Sequence, residues 1–201
     1  MRTYTKRRRA RSEAATRLRI VEALIRLHRT KGPARTTVTD VAREAGVQRL
    51  TVYRHFPDER AMFTACSGHW EASHPPPDPA DWAADDEPAR RLRTALAALY
   101  AFYADGADLY ERVFRDLPDV AELAWWAEGW EAWIDDVRRG LARGWRVRRG
   151  DRPALRAALA VAVDFWTFRT LTGSGLSPTA AAATSARMVA SAFPPAPRRR
   201  S

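Results

Sequence analysis

An all-α fold is predicted by three features of the chain. Apolar residues recur at 3.6-residue spacing in one segment after another, and no stretch keeps a period-two alternation for long. Helix-ending residues separate those segments: Gly32-Pro33, Gly46, Phe56-Pro57, the prolines at 75, 76, 77 and 79, and Gly173-Ser174-Gly175. The charge is divided as well. Residues 1–60 carry 16 Lys+Arg against 6 Asp+Glu, whereas 61–201 carry 18 of each, so the formal net of +10 belongs to the first part alone. Two helical domains are expected, 1–57 and 58–201, in a chain of 201 residues that is long enough to bury a sizeable core.

A positive excess confined to one end points to a polyanion there, and nucleic acid comes first. A sticky basic tail on an ordinary domain is the plain alternative. Nearly every basic residue is arginine, only Lys6 and Lys31 excepted, which genome base composition explains more simply than phosphate recognition. The single cysteine, Cys66, excludes an internal disulfide framework and fits a reducing compartment. It reads as a small buried residue rather than a redox sensor. No apolar run resembles a signal peptide or a membrane span, so a cytoplasmic protein is expected, nucleoid-associated when bound.

Residues 1–11 hold Arg2, Lys6, Arg7, Arg8, Arg9 and Arg11 with little that is apolar. Like charges at that density predict an arm disordered in isolation, either lying along a DNA backbone or minor groove or simply solvated. A first helix is expected over 12–31, capped by Ser12 and stopped by Gly32-Pro33, with Leu18, Val21, Leu24, Ile25 and His28 as its apolar stripe. His28 reads as a core-edge histidine. Thr37 opens the second helix, and Thr-x-x-Asp to Asp40 is a weakened capping box. Val38, Val41 and Ala42 face inward, Ala45 allows close helix approach, Gly46 supplies the left-handed turn and Val47 plugs the angle. Those roles in that order make a helix-turn-helix over 37–55.

The third helix, about 48–55, is anchored on one face by Val52 and Phe56 at i, i+4. Its other face presents Arg49, Thr51, Tyr53, Arg54 and His55. Such a short polar helix is marginal alone and makes sense as a reader held by its neighbours. Arg49 suits guanine O6 and N7, Gln48 suits adenine, and Thr51 suits a thymine methyl. Tyr53 and His55 suit phosphates. A short polar connector is the plain alternative. Asp58 caps a fourth helix to about residue 73, with Met62, Phe63, Cys66, His69 and Trp70 along one face and Arg60 as a candidate backbone contact.

These residues resemble the TetR family of bacterial transcriptional regulators over about 17–63. The resemblance rests on Thr37, Asp40-Val41-Ala42, Ala45-Gly46-Val47, the run from Thr51 to Phe56, and Pro57 through Phe63. It implies a three-helix DNA-binding domain followed by a helical domain that dimerises and usually binds a small effector. It also implies DNA contacts at Arg49, Thr51, Tyr53 and His55. The sequence departs from the family at Gln48, where a capping serine is usual, at Leu50, where a small residue is usual, and in lacking a lysine near Glu59-Arg60. Those departures bear on which operator is read. The candidate DNA-binding set is Thr37, Gln48, Arg49, Leu50, Thr51, Tyr53, Arg54, His55 and Arg60.

The remaining chain predicts an extended loop over 74–86 with Trp82 as a surface anchor, then helices over about 87–103, 107–115, 118–146, 153–172 and 178–192. Its aromatic density suggests an apolar cavity for a small hydrophobic effector, against the simpler reading of plain core. Candidate lining residues are Phe102, Tyr103, Trp126, Trp130, Trp133, Phe165 and Trp166. The two last helices, 153–172 and 178–192, form a hairpin whose small residues suit a homodimer interface. Asp164, inside the apolar run LAVAVDFWTF, could face the cavity, pair across the dimer or point to solvent. A frayed tail is expected from 194.

The pattern is that of a ligand-responsive repressor that binds a palindromic DNA operator as a homodimer, with the helix over 58–73 carrying the change between domains. A sequence-blind nucleic-acid binder is the alternative. An enzyme is the weaker one: His28, His55, His69 and His74 are scattered, and there is no phosphate loop or metal-ligand cluster. No metal or cofactor is expected.

Overall fold

A computed structural model of the chain describes residues 2–194, with side chains from Lys6 onward. Its α-helices run α1 Arg2–Thr30, α2 Val38–Ala45, α3 Arg49–His55, α4 Glu59–Ser73, α5 Ala80–Ala83, α6 Pro88–Asp105, α7 Ala107–Asp116, α8 Ala124–Leu141, α9 Arg152–Val163, α10 Phe165–Gly173 and α11 Pro178–Ala192. No strand occurs among the described residues, and none of their helices is long and apolar enough to cross a membrane. The fold is all-α, as the periodicity predicts.

The chain packs as two compact units. The first runs to Pro75 and resumes over Ala107–Ala127; the second holds Pro76–Gly106 and the chain from Glu128 onward. This division by packing differs from the expected break at 57/58, because α4 and α7 both pack on α1.

In the first unit, Ile20, Val21, Leu24 and Leu27 of α1 meet Val41, Ala42 and Ala45 of α2, Val52 of α3, Phe56, and Met62 and Cys66 of α4. A neighbouring cluster joins Phe63 and Trp70 of α4 to Leu109 and Val113 of α7 and to Val120 and Leu123 beyond it. In the second unit, α6 packs along α11 and against α9 and α10. Leu92, Leu96, Leu99, Tyr100 and Tyr103 of α6 are buried there, with Leu159, Phe168 and Val189.

Several boundaries fall elsewhere than the sequence predicts, each for a local reason. The expected disordered arm is the opening of α1, and Ser12 lies inside that helix rather than capping it. Arginine and alanine are strong helix formers, and Arg9 pairs with Glu13 one turn on at 3.2 Å. The segment from 118 begins as two 3-10 turns, Leu117–Asp119 and Ala121–Leu123, before α8 starts. The expected loop over 74–86 contains a short helix, α5, whose Trp82 anchors the segment at 2% exposure. The expected helix over 153–172 is broken at Asp164, whose carboxylate accepts from the Thr167 backbone N–H at 3.0 Å and caps α10. The tail expected from 194 lies, beyond Pro194, outside the described residues.

Gly32 closes α1 in a backbone conformation, φ 92° and ψ 161°, that side-chain-bearing residues rarely adopt. A Cβ there would also run into the Asp116 carboxylate and the Arg115 guanidinium. Gly32→Ala should therefore destabilise the first unit by about 1–3 kcal/mol from the backbone alone, read as a lowered thermal midpoint. An unchanged midpoint would contradict the assignment of this turn.

Candidate nucleic-acid interface

The interface is built from α2 upward. Thr37, in an extended conformation, caps α2: its hydroxyl accepts from the Asp40 N–H at 3.1 Å, and the Asp40 carboxylate accepts from the Thr37 N–H at 3.2 Å. The capping box read from Thr-x-x-Asp is thus complete. The same carboxylate receives Lys31 Nζ at 2.9 Å and Arg43 at 2.6 Å. Hydrogen bonds from Lys31 and Thr37 hold Asp40 down to about 2. At the other end Gly46, at φ 65°, is left-handed, and Val47 N–H reaches back to the Ala42 carbonyl at 2.9 Å. The turn therefore redirects the chain within three residues.

Gln48 stands at the N-cap of α3 without a side-chain capping bond. The seven-residue helix is fastened from one side only: Val52 and Phe56 are fully buried, and the Arg17 guanidinium of α1 lies 4.5 Å from the centre of the Phe56 ring. The opposite face is open. Arg49 and Arg54 are exposed, Leu50 is 77% exposed and Tyr53 45% exposed. Thr51 and His55 are only half-exposed, and His55 Nε2 is enclosed without a hydrogen-bond partner, so Nε2 is turned away from the open face. Gln48, Thr37 and Arg60 are exposed as well. Residues 6–15 of α1 are exposed throughout and add Lys6, Arg7, Arg8, Arg9 and Arg11 to the first unit. The contacts with Arg17 and Lys31 were not legible in the sequence, since each joins residues from different helices.

The candidate effector residues divide between the units. Phe102, Tyr103, Trp130, Trp133 and Phe165 form one aromatic cluster, with ring centres 5.2–6.2 Å apart. Tyr103 is fully buried and its hydroxyl donates to the Val163 carbonyl at 2.7 Å. Tyr100 does the same for the Ala162 carbonyl at 3.0 Å. The break at Asp164 leaves those end-of-helix carbonyls without intrahelical donors, and the two hydroxyls satisfy them. Trp166 is 46% exposed and meets the cluster at Phe165. Trp126 belongs to the first unit and packs on Phe114.

A cleft of about 290 Å³ lies beside the interface, lined by Leu24 and His28 of α1, Val38 and Val41 of α2, Met62 of α4 and Val120. His28 is buried rather than at the core edge, stacked on Phe63 with ring centres 5.4 Å apart and with Nδ1 3.7 Å from Cys66 Sγ. Burial pulls His28 down to about 4, opposed by the charge of Asp116, and pushes the Cys66 thiol up to about 12. Cys66 is a packing residue with negligible thiolate at neutral pH.

The chain matches the bacterial regulatory proteins of the tetR family over residues 20–66. A comparison with curated proteins finds no match. Among solved structures it resembles a TetR-like transcriptional regulator from Rhodococcus sp. RHA1, with TM-score 0.63 and 16% identity over 88% of this chain and 94% of that one. It also resembles a TetR transcription regulator from Haloarcula marismortui ATCC 43049, with TM-score 0.56 and 14% identity over 90% and 97% of the two chains. At these identities the likeness speaks for the fold.

The buried imidazole supplies a pH test. His28 is neutral when folded and protonates near 6.5 when unfolded, so the unfolded chain binds the extra proton between about 6.5 and 4. Stability should be fully present above 6.5 and fall by about 3 kcal/mol as pH drops to 4. Glu71, pushed up by burial, titrates in the opposite sense, so the comparison is with His28→Asn. Urea unfolding at several pH values should show a flatter profile for that variant; parallel profiles would contradict the assignment.

Proposed function

We propose that the chain, whose residues 20–66 match the tetR family of bacterial regulatory proteins, is a ligand-responsive repressor that binds a palindromic operator as a homodimer. The observation that carries this reading is α3. A helix fastened by Val52 and Phe56, with Arg49, Leu50, Tyr53 and Arg54 left open, has the form of a major-groove reader. Arg49 at its N-terminal end would donate to guanine O6 and N7, Gln48 to adenine, and Leu50 and Thr51 would meet thymine methyls. Tyr53, Arg54, Thr37 and Arg60 would hold phosphates and fix register. His55 would contribute through Nδ1 or its backbone, since Nε2 is enclosed.

Dimerisation would use the second unit. Val161 of α9, Trp166 of α10 and Met188 of α11 are 60%, 46% and 64% exposed, an apolar outlay that a second copy would cover. The effector would be a hydrophobic, partly aromatic molecule received by Phe102, Tyr103, Trp130, Trp133 and Phe165. It would release DNA by favouring the conformation whose reader spacing does not match the half-sites.

Selection of bound fragments from a genomic library tests the central part. A quasi-palindromic consensus is expected, with affinity that falls steeply with salt. Arg49→Ala should lose about 1–3 kcal/mol of discrimination at one base position, whereas Tyr53→Phe should weaken all sequences alike. Equal affinity for every sequence at moderate salt would instead support the sequence-blind binder, working through the basic start of α1. For the dimer, Met188→Asp should shift the protein toward monomer in sedimentation and reduce operator affinity; an unchanged dimer would remove α11 from the interface.

A further inference from the structure

The segment Ala107–Ala127 belongs by packing to the DNA-binding unit, yet at both ends the chain continues into the other unit. It ends α6 at Gly106 on one side and continues as α8 on the other. What this segment does to the first unit is polar and local. Arg112 Nε donates to the Thr30 carbonyl at 3.1 Å, and an Arg115 terminal nitrogen donates to the Lys31 carbonyl at 3.1 Å. Asp116 accepts from the Ala34 N–H at 3.1 Å and from Arg115 Nε at 2.7 Å. Arg29 closes the set from the other side, on Asp108 at 3.0 Å.

The last carbonyls of a helix have no intrahelical donors, and cations placed there also complement the helix dipole. Here α7 supplies both to the end of α1, across about eighty residues of sequence. Asp116 is 5% exposed; burial pushes its carboxyl up, but the Arg115 and Ala34 hydrogen bonds outweigh that and hold it below the usual carboxylate range. It stays charged beneath the turn at Gly32, where a side chain would not fit. From that turn the route to the reader is short. Lys31, whose carbonyl is held by Arg115, extends its ammonium to Asp40, and Asp40 completes the cap that starts α2.

We propose that Asp116, braced by Arg115, is a positioning residue for DNA recognition: it sets the turn over 31–36 and, through Lys31 and Asp40, the placement of α2 and α3. The proposal rests on the DNA-binding reading above and extends it. The segment joined to the other unit at both ends, and not α4 alone, carries the signal. An effector that shifts α7 would loosen the turn without touching the reader.

The test uses the full chain and the tightest fragment recovered by selection. Asp116→Ala should weaken binding of that fragment about tenfold, a typical size for a coupling between sites, and should speed amide exchange over 34–40. Asp116→Asn, which keeps an oxygen for the Ala34 N–H, should fall between wild type and Asp116→Ala. Lys31→Ala removes the ammonium but not the carbonyl, so in the double variant the two losses should be less than additive. Wild-type affinity in Asp116→Ala, or strictly additive losses, would overturn the proposal while leaving DNA recognition intact. If wild-type protein shows no sequence preference, the function reading fails first, and amide exchange then decides the clasp: unchanged exchange over 34–40 overturns it. Should Asp116→Ala fail to fold, Arg115→Ala carries the same comparison.

Discussion

A helix of seven residues cannot sustain itself in water, because its few hydrogen bonds do not offset the cost of nucleation. The arrangement of the first unit depends on that constraint. Since α3 must keep one face free, all its support has to come from the other face, and only Val52 and the following Phe56 are spent on it. Both are fully buried, against the inner faces of α1, α2 and α4. Burying a side chain of that size contributes on the order of 1.5–3 kcal/mol, so two of them suffice only if the surrounding helices are already fixed. That explains the density of caps nearby: the Thr37–Asp40 box, left-handed Gly46, and Asp58 accepting from the Ala61 N–H at 2.7 Å.

The second unit meets a different constraint. Breaking a helix inside an apolar layer exposes carbonyls that must find donors. Asp164 makes such a break between α9 and α10, and the tyrosines of α6 answer it with hydroxyls on Ala162 and Val163. Two of the aromatic side chains are therefore held by polar contacts as well as by packing. A carboxylate in the run LAVAVDFWTF is tolerable because it caps α10 and sits half-buried rather than lost in the core.

Local chemistry was legible in the sequence, and long-range chemistry was not. Thr37, Asp40, Gly46 and Asp58 cap helix ends within four residues of their own position, and Val52 and Phe56 stand at i, i+4 on one face, so their spacing discloses their roles. The charge count set the first part of the chain apart, but it misjudged the form of the arm. Like charges oppose compaction; they do not prevent a helix rich in arginine and alanine from continuing α1 back to Arg2. Tyr103 and Trp126 look alike in a list of aromatics, yet one is a buried donor in the second unit and the other packs on Phe114 in the first. Arg115 and Asp116 read as an ordinary charged helix end. Their partners at Lys31 and Ala34 lie more than eighty residues away, and no periodicity reports such a pairing.

Taken together, the caps, the buried pair beneath α3 and the clasp from α7 all act to present one short helix face in a fixed place. The most direct measure of that claim is a hydroxyl-radical footprint on a bound genomic fragment. The account predicts two protected blocks about one helical turn of DNA apart, on one side of the duplex and related by two-fold symmetry. Uniform protection along the fragment, with no symmetric centre, would contradict it.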